Sequence, residues 1–197
     1  THAHIDMEAY DEDRAEVIQR ARDKGVNYIL NVGCDIESSA RTIELAERYD
    51  FIYGTAGIHP HDVKNIDGHT YDDLRGLLAH PKMVALGEIG LDFYKNCSPQ
   101  DQQKEHFRKQ VELACELKKP IIVHCRDANE ETINILSDYF PMDSSARSGI
   151  FHCFSGDQVL ADRALEMGFY ISFSGSVTFK KSDVLRAVAK TIPADRF

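Results

Sequence analysis

The sequence lacks the features that would assign it at once to several common classes of protein. It has no uninterrupted apolar run of about 18 residues, so no membrane-spanning helix is expected. It has no glycine-rich GxGxxG or GxxxxGK[ST] segment, which weakens a nucleotide-binding interpretation. Its first residues, Thr-His-Ala-His, do not resemble a secretory signal peptide.

Cysteine is scarce and irregularly spaced. The five cysteines are odd in number, and no two of them form a CxxC pair. They are Cys34, Cys97, Cys115, Cys125 and Cys153. We therefore expect neither a disulfide framework nor a zinc ribbon, and we predict a reducing compartment, the cytoplasm.

Positive charge is also in short supply. Lysine and arginine total 23 against 32 aspartates and glutamates, which gives a formal net charge of −9. This balance argues against a protein that grips duplex DNA through a broad basic surface. It does not exclude a nuclease, because bound metal can neutralise a phosphate.

What the sequence does contain is a regular alternation of short β-branched runs and helical stretches, typical of a parallel α/β fold. The predicted strands are 27–32, 51–56, 83–88, 121–124, 149–154 and 169–173. The predicted helices are 11–24, 38–49, 71–79, 99–118, 130–140, 158–167 and 182–192. Ser98 is expected to cap the longest of these helices.

The number of elements favours a barrel over an open sheet. Six strands alternate with seven helices, and a helix stands at each end, so the pattern predicts one strand before Thr1 and one after Phe197. The resulting eight strands are the number in a TIM-type (β/α)8 barrel, whereas a doubly wound sheet needs no such number. We expect residues 1–197 to be one such domain that lacks the first and last strands, with 43% hydrophobic residues to fill its core.

Metal-binding residue types recur at the predicted C-terminal ends of the strands, where a barrel gathers its functional groups. His2 and His4 are two apart on a strand and would face one ion. His124 and His152 each end a strand, and Glu88 would be costly in its apolar strand unless it were paired or metal-bound. Exposed histidines, core histidines and a salt-bridged glutamate are the structural alternatives. The recurrence at equivalent positions favours a shared metal site.

Other polar residues near the strand ends are candidates for contact with substrate or ligand. His59 and His61 lie on a loop, since a proline separates them, and phosphate contact is favoured over a structural role. Arg126 can clamp a phosphate, or the Arg126-Asp127 pair can cap the next helix. Asp92 either orients a ligand imidazole or occupies a turn.

The two cysteines that follow the strand-end histidines are expected to lie away from this site. Side chains alternate along a strand, so Cys125 and Cys153 should point toward the helices if their neighbours point inward. We predict that both are small buried residues without a chemical role.

These segments resemble the TatD family of metal-dependent deoxyribonucleases, within the amidohydrolase superfamily. Five motifs occur in the family's order and together cover essentially the whole chain. They are residues 1–4 (THAH), 57–61 (GIHPH), 87–92 (GEIGLD), 124–128 (HCRDA) and 152–156 (HCFSG).

The resemblance implies a metal centre and an activity. His2 and His4 would bind one divalent cation, Glu88 would bridge, and His124 with His152 would hold a second. The implied reaction is hydrolysis of DNA ends, 3′ to 5′, or of another phosphodiester, with Glu88 and Asp92 as the catalytic candidates in this sequence. The metals would be Zn, Mn, Mg or Fe.

The family pattern continues beyond these motifs with a strand that ends in Glu-Thr-Asp, whose aspartate is a metal ligand and general base. The sequence ends just before that point. Neither a membrane nor an obligate protein partner is implied.

Two alternatives remain open. One is another amidohydrolase-superfamily hydrolase or a small-molecule phosphoesterase with the same metals, although the strand of Glu88 carries no lysine beyond Lys82 that could bridge two ions after carboxylation. The other is a catalytically incomplete barrel that binds metal without turnover.

Overall fold

The computed structural model describes residues 2–142 and 148–197. Within these residues, six strands and seven α-helices alternate along the chain, as the sequence pattern predicts. The strands are β1 (Ile29–Val32), β2 (Ile52–Ala56), β3 (Met83–Asp92), β4 (Ile121–Arg126), β5 (Gly149–Phe151) and β6 (Phe169–Ile171). The helices are α1 (Arg14–Asp23), α2 (Ile36–Arg48), α3 (Thr70–Leu78), α4 (Gln100–Leu117), α5 (Asn129–Ser137), α6 (Gln158–Glu166) and α7 (Asp183–Thr191).

The strands form one parallel sheet in sequential order, β1 to β6. All six C-terminal ends therefore meet at one edge, the arrangement found in a (β/α)8 barrel. The segment that carries the first two histidines adds to the β1 side of this sheet. The Ala3 N–H donates to the Leu30 carbonyl at 3.0 Å, and the Val32 N–H donates to the Ala3 carbonyl at 2.8 Å. His2 and His4 are thereby held beside the C-terminal end of β1.

The helices cover the sheet with apolar faces. On α4, Phe107, Val111 and Ala114 recur at helical spacing, are fully buried, and belong to the main hydrophobic cluster beneath the sheet. All but one residue of β3 is buried, as expected for a central strand of a parallel sheet. Among the residues that the structure describes, no helix combines the length and apolar composition needed to cross a lipid bilayer.

Several predicted ends differ from those observed. β3 continues to Asp92, because Ile89 and Leu91 are buried and the strand remains paired with β4 beyond Glu88. The predicted end at residue 88 was therefore wrong. β5 and β6 are shorter than predicted, and Ser98 does not cap α4. Its hydroxyl donates instead to the His61 carbonyl at 2.7 Å.

Candidate metal centre

Glu88 reaches the C-terminal edge of the sheet through an irregularity in β3. Leu86 pairs with Ile121 and Ile89 with Val123, so β3 advances three residues while β4 advances two. Such a bulge re-aims the side chain it contains. The backbone is anchored there, since the Glu88 N–H donates to the Gly33 carbonyl at 2.9 Å. The carboxylate is 3% exposed and lies in the middle of a group of imidazoles.

Three imidazoles reach the Glu88 carboxylate directly. Nε2 of His2 lies 3.2 Å from Oε2, Nδ1 of His124 lies 2.8 Å from Oε1, and Nε2 of His152 also contacts Oε1. The rings of His2 and His152 stack at 3.9 Å between centroids with an interplanar angle of 7°. Residues remote in the chain thus surround one buried carboxylate.

The protonation of this carboxyl group follows from its neighbours. Burial by itself raises the pKa of Glu88. Hydrogen bonds from the surrounding imidazoles, that of His124 first among them, outweigh burial and hold the pKa below its usual range. The group is therefore an anion, as a metal ligand must be.

His4 has its tautomer set by the backbone. Its Nδ1 lies 2.9 Å from the Val32 carbonyl oxygen, which can only accept a hydrogen bond, so Nδ1 carries the proton. The lone pair is then on Nε2, which faces Nε2 of His2 at 3.1 Å. Cys34 lies behind this ring, with its sulfur 4.0 Å from Nδ1, and its pKa is raised by burial and by the charge of Glu88.

His124 lies between two carboxylates. Its Nε2 is 3.1 Å from Oδ2 of Asp92, and its Nδ1 faces Glu88. Burial alone lowers the pKa of His124, but hydrogen bonds and charges of Glu88 and Asp92 raise it on balance. Asp92 is 1% exposed and ends β3. It also begins the turn that follows, since its Oδ1 accepts from the Lys95 N–H. It orients His124 from the side opposite Glu88.

The loop after β2 brings two more imidazoles into the same space. Nε2 of His61 lies 2.8 Å from Oδ2 of Asp92, and Nε2 of His59 lies 3.6 Å from Oε1 of Glu88. The His61 backbone N–H donates to Nδ1 of His59 at 3.2 Å, and burial lowers the pKa of His59. His59 is therefore neutral with its proton on Nε2, which makes it a hydrogen-bond donor toward the centre of the site.

The imidazole nitrogens and carboxylate oxygens of this site are suitable ligands for divalent cations. His2, Glu88 and His152 offer atoms within 4.8 Å of one another. The atoms of His59, Glu88 and His124 are equally close, but Nδ1 of His59 already accepts the His61 N–H and its Nε2 carries the proton. The 3.1 Å between Nε2 of His2 and Nε2 of His4 is close to the roughly 3.3 Å expected for two nitrogens that bind one tetrahedral ion at about 2.0–2.1 Å. Carbonyl and carboxylate groups hold the outward nitrogens of His4 and His124, as is usual for metal-binding imidazoles.

The side chains line an open cavity of about 510 Å³ at the C-terminal edge of the sheet. Two cations, Lys95 and Arg126, share this lining with the imidazoles and carboxylates. Among the described residues, neither cation has a carboxylate within ion-pair distance. The alternative role of Asp127 as a helix cap is not observed, since α5 has Ala128 at its N-cap and no side-chain cap. The cavity therefore combines a candidate site for cations with two positively charged side chains that have no carboxylate partner in the part of the chain the structure describes.

One cysteine is placed differently from the prediction. Cys125 is partly buried, and its sulfur contacts Thr132 of α5 at 3.3 Å, on the side away from the site. Cys153 is exposed, lines the cavity, and lies 3.0 Å from the Ser174 hydroxyl. β5 ends before it, and its φ of 44° removes the strand alternation on which the prediction depended.

The sequence reasoning also missed Lys95, which lines the cavity. Lys95 comes three residues after Asp92, at which β3 ends, so its position close to Asp92 was the available signal. The loop is fixed there because the Lys95 N–H donates to Oδ1 of Asp92 at 2.7 Å.

Comparison with known proteins identifies the family of this chain. A family described as TatD related DNase matches residues 1–197. The chain belongs to this family. It is a metal-dependent hydrolase, and the TIM-type barrel predicted from the alternation of elements is confirmed by the parallel sheet together with the structural relatives below.

Individual relatives give the extent of the similarity. The chain is 44% identical over 196 residues to the "Uncharacterized metal-dependent hydrolase YabD" of Bacillus subtilis strain 168, covering 100% of this chain and 76% of that protein. It is 38% identical over 186 residues to the "3'-5' ssDNA/RNA exonuclease TatD" of Erwinia tasmaniensis, covering 93% and 71%. The crystal structure of YJJV, a TatD homologue from Escherichia coli K12, superposes with a TM-score of 0.89 at 29% identity, over 98% of this chain and 74% of that chain.

Proposed function

We propose that this TatD-family hydrolase removes nucleotides from the 3′ end of single-stranded nucleic acid by metal-dependent cleavage of the terminal phosphodiester. The observation that carries the proposal is the composition of the cavity. A cluster around Glu88 that could bind cations lies beside Lys95 and Arg126, which have no carboxylate partner among the described residues. The relative named as a 3'-5' ssDNA/RNA exonuclease supports the choice of substrate. An anionic diester suits such a cavity better than a neutral amide does.

Five residues would hold the metal. His2 and His4 offer Nε2 lone pairs to one cation, His124 and His152 offer Nδ1 and Nε2 to a second, and Glu88 contacts both sets. When bound, divalent cations would supply Lewis acidity that neutralises the phosphate and acidifies water. Zn, Mn and Fe suit the imidazoles, and Mg suits the carboxylate.

The remaining side chains would bind and orient the diester. His59 would donate its Nε2–H to a phosphate oxygen, since the backbone N–H of His61 occupies its other nitrogen. Arg126 and Lys95 would pair with phosphates along the strand. Each of these groups is charged or polarised toward the position of an anion.

Asp92 and His61 would accept the proton that the attacking water loses, with His61 as the base and Asp92 as its partner. The Asp92 carboxylate accepts hydrogen bonds from His61 and His124, and neighbouring donors hold its pKa below the usual value despite burial. As an anion, Asp92 can stabilise a positive charge on His61, whose side chain is 32% exposed and lines the cavity. His61 would take a proton from the attacking water and release it to solvent or to the departing nucleotide.

A digestion assay tests this activity. Single-stranded DNA labelled at its 5′ end is incubated with purified protein and Mn²⁺ or Mg²⁺, with EDTA as control. We expect a ladder that shortens one nucleotide at a time from the 3′ end, and no products in EDTA. p-Nitrophenyl phosphate esters and cyclic amides are assayed in parallel. Cleavage of amides alone, or of esters without DNA, would contradict the nuclease proposal and favour the alternatives.

A further inference from the structure

Beyond the metal cluster, the ring of Tyr94 lies against Arg126, a residue that lines the cavity, and has no role in the proposed chemistry. Tyr94 is 60% exposed, although it lies between Asp92 and Lys95, both of which line the cavity. Exposure of a tyrosine is ordinary in itself. Its contact with Arg126, which lines the cavity, distinguishes it from the other exposed aromatic residues.

The ring of Tyr94 is fixed from one side. Cζ of Arg126 lies 3.9 Å from the ring centroid, which is a close cation–π contact. The backbones of the two residues are joined as well, because Asp92 pairs with Arg126 and the Phe93 N–H donates to the Arg126 carbonyl at 2.9 Å. A ring with one face covered by Arg126 leaves its other face open to solvent.

We infer that Tyr94 is a stacking platform for an unpaired nucleobase, with Arg126 behind the ring and Lys95 beside it on the phosphate backbone. The inference rests on the proposed nuclease function and adds a specificity residue to it. Bases of a duplex are already stacked on both faces, so this platform accepts single strands or frayed ends. Stacking depends little on base identity, so the platform selects strand state and not sequence.

The absence of tryptophan from the chain provides a direct optical test. The substitution Tyr94→Trp introduces the only indole, and a nucleobase stacked on that indole quenches its fluorescence. The metal-loaded variant is titrated with a phosphorothioate oligothymidylate, which resists hydrolysis, and with an abasic oligomer that has the same backbone. Tyr28→Trp is the matched control, because Tyr28 is 72% exposed just before β1, at the opposite edge of the sheet.

We expect oligothymidylate to quench the Tyr94→Trp emission and the abasic oligomer to leave it nearly unchanged. Neither oligomer should quench the control. In a fluorescence anisotropy titration, Tyr94→Ala should weaken binding of oligothymidylate by about 5- to 150-fold and binding of the abasic oligomer by less than about twofold. Tyr94→Phe should bind like the unmodified protein.

Equal quenching by both oligomers, or quenching by neither, would overturn the platform. Its failure is distinguishable from failure of the nuclease proposal. Digestion of DNA by the unmodified protein without base-dependent quenching retains the function and removes the platform, whereas base-dependent quenching without digestion retains the platform and removes the function.

Discussion

Gln110, in the middle of α4, holds both backbone polar atoms of Ile58. Its Oε1 accepts from the Ile58 N–H at 2.7 Å, and its Nε2 donates to the Ile58 carbonyl at 3.0 Å. Gln110 is fully buried, so no water can replace these bonds without rearrangement. Because Ile58 precedes His59, a helix on the outside of the barrel sets the position of a side chain at its mouth.

Replacing this glutamine tests that coupling. Gln110→Leu leaves two buried backbone groups unpaired, and each costs about 1–3 kcal/mol. We expect urea denaturation to show a loss of at least about 2 kcal/mol and steady-state assays to show a lower kcat/KM, since His59 is no longer aligned. Gln102→Leu, on the exposed face of the same helix, should change neither. An unaltered Gln110→Leu protein would mean that the loop positions itself.

Gly90 allows β3 and β4 to approach next to the site. Its φ is +143°, and a Cβ added there would collide with the carbonyl oxygen of His124. Gly90→Ala should therefore lower Tm and reduce metal binding, because β4 must shift and His124 moves with it. Gly76→Ala is a control with the opposite expected sign, since Gly76 lies in α3 with open space around its Cβ position. The free energy of unfolding of Gly76→Ala should rise by about 0.5–1 kcal/mol.

Metal binding should depend on pH through His124. The pKa of His124 is raised by Glu88 and Asp92 in the metal-free protein. The bound proton therefore stabilises the folded, metal-free protein fully at pH values below the pKa of histidine in the unfolded chain, near 6.5. This stabilisation is lost as the pH rises through the raised pKa of His124 in the folded protein. A cation must displace the proton, so affinity should rise over this same interval and then level off.

Isothermal titration calorimetry in buffers of different ionisation enthalpy measures the released proton. We expect proton release near neutral pH in the unmodified protein and less in Asp92→Asn, in which one of the two charges that raise the pKa of His124 is removed. Metal affinity that is constant from about pH 6 to about pH 8 would show that His124 is not a ligand.

Thiol reactivity should separate the cysteines by environment. Burial raises the pKa of Cys125 to about 11, so little of it is thiolate at mildly alkaline pH. Burial also raises the pKa of Cys34, which makes its thiol unreactive as well. Iodoacetamide should modify the exposed Cys97 and Cys153, and more slowly Cys115, because burial and the charge of Glu112 raise the pKa of Cys115. Peptide mass mapping would show the order. Protection of Cys153 by a bound oligonucleotide would support its place in the cavity. Modification of Cys125 before the exposed cysteines would contradict the packing described.

The sequence predicted the alternation of strands and helices because hydrophobic periodicity is local. It predicted Glu88 as a site residue because a carboxylate in an apolar strand needs a partner. The end of β3 was predicted too early, at residue 88, because the pairing of β3 with β4 beyond Glu88 is a tertiary contact. The interaction of Gln110 with Ile58 joins residues 52 positions apart, and no local pattern indicates it.

The roles of the imidazoles were even less accessible from sequence. His4 and His59 have the same spacing from a neighbouring histidine, so spacing does not distinguish them. The Val32 carbonyl fixes the proton of His4 on Nδ1. The His61 N–H fixes the proton of His59 on Nε2. The orientation of Cys153 depends on a positive φ. Tautomers and backbone conformation of this kind follow from tertiary contacts.

The central claim is that one buried carboxylate organises all the metal bound by this chain. Elemental analysis of purified protein after metal loading and desalting measures it directly, with Glu88→Gln as the test variant and Glu112→Gln, on the exposed face of α4, as the control. We expect the unmodified protein and the control to hold about two divalent cations per chain, and Glu88→Gln to hold almost none while its circular dichroism spectrum is unchanged. Full metal content in Glu88→Gln would contradict the account.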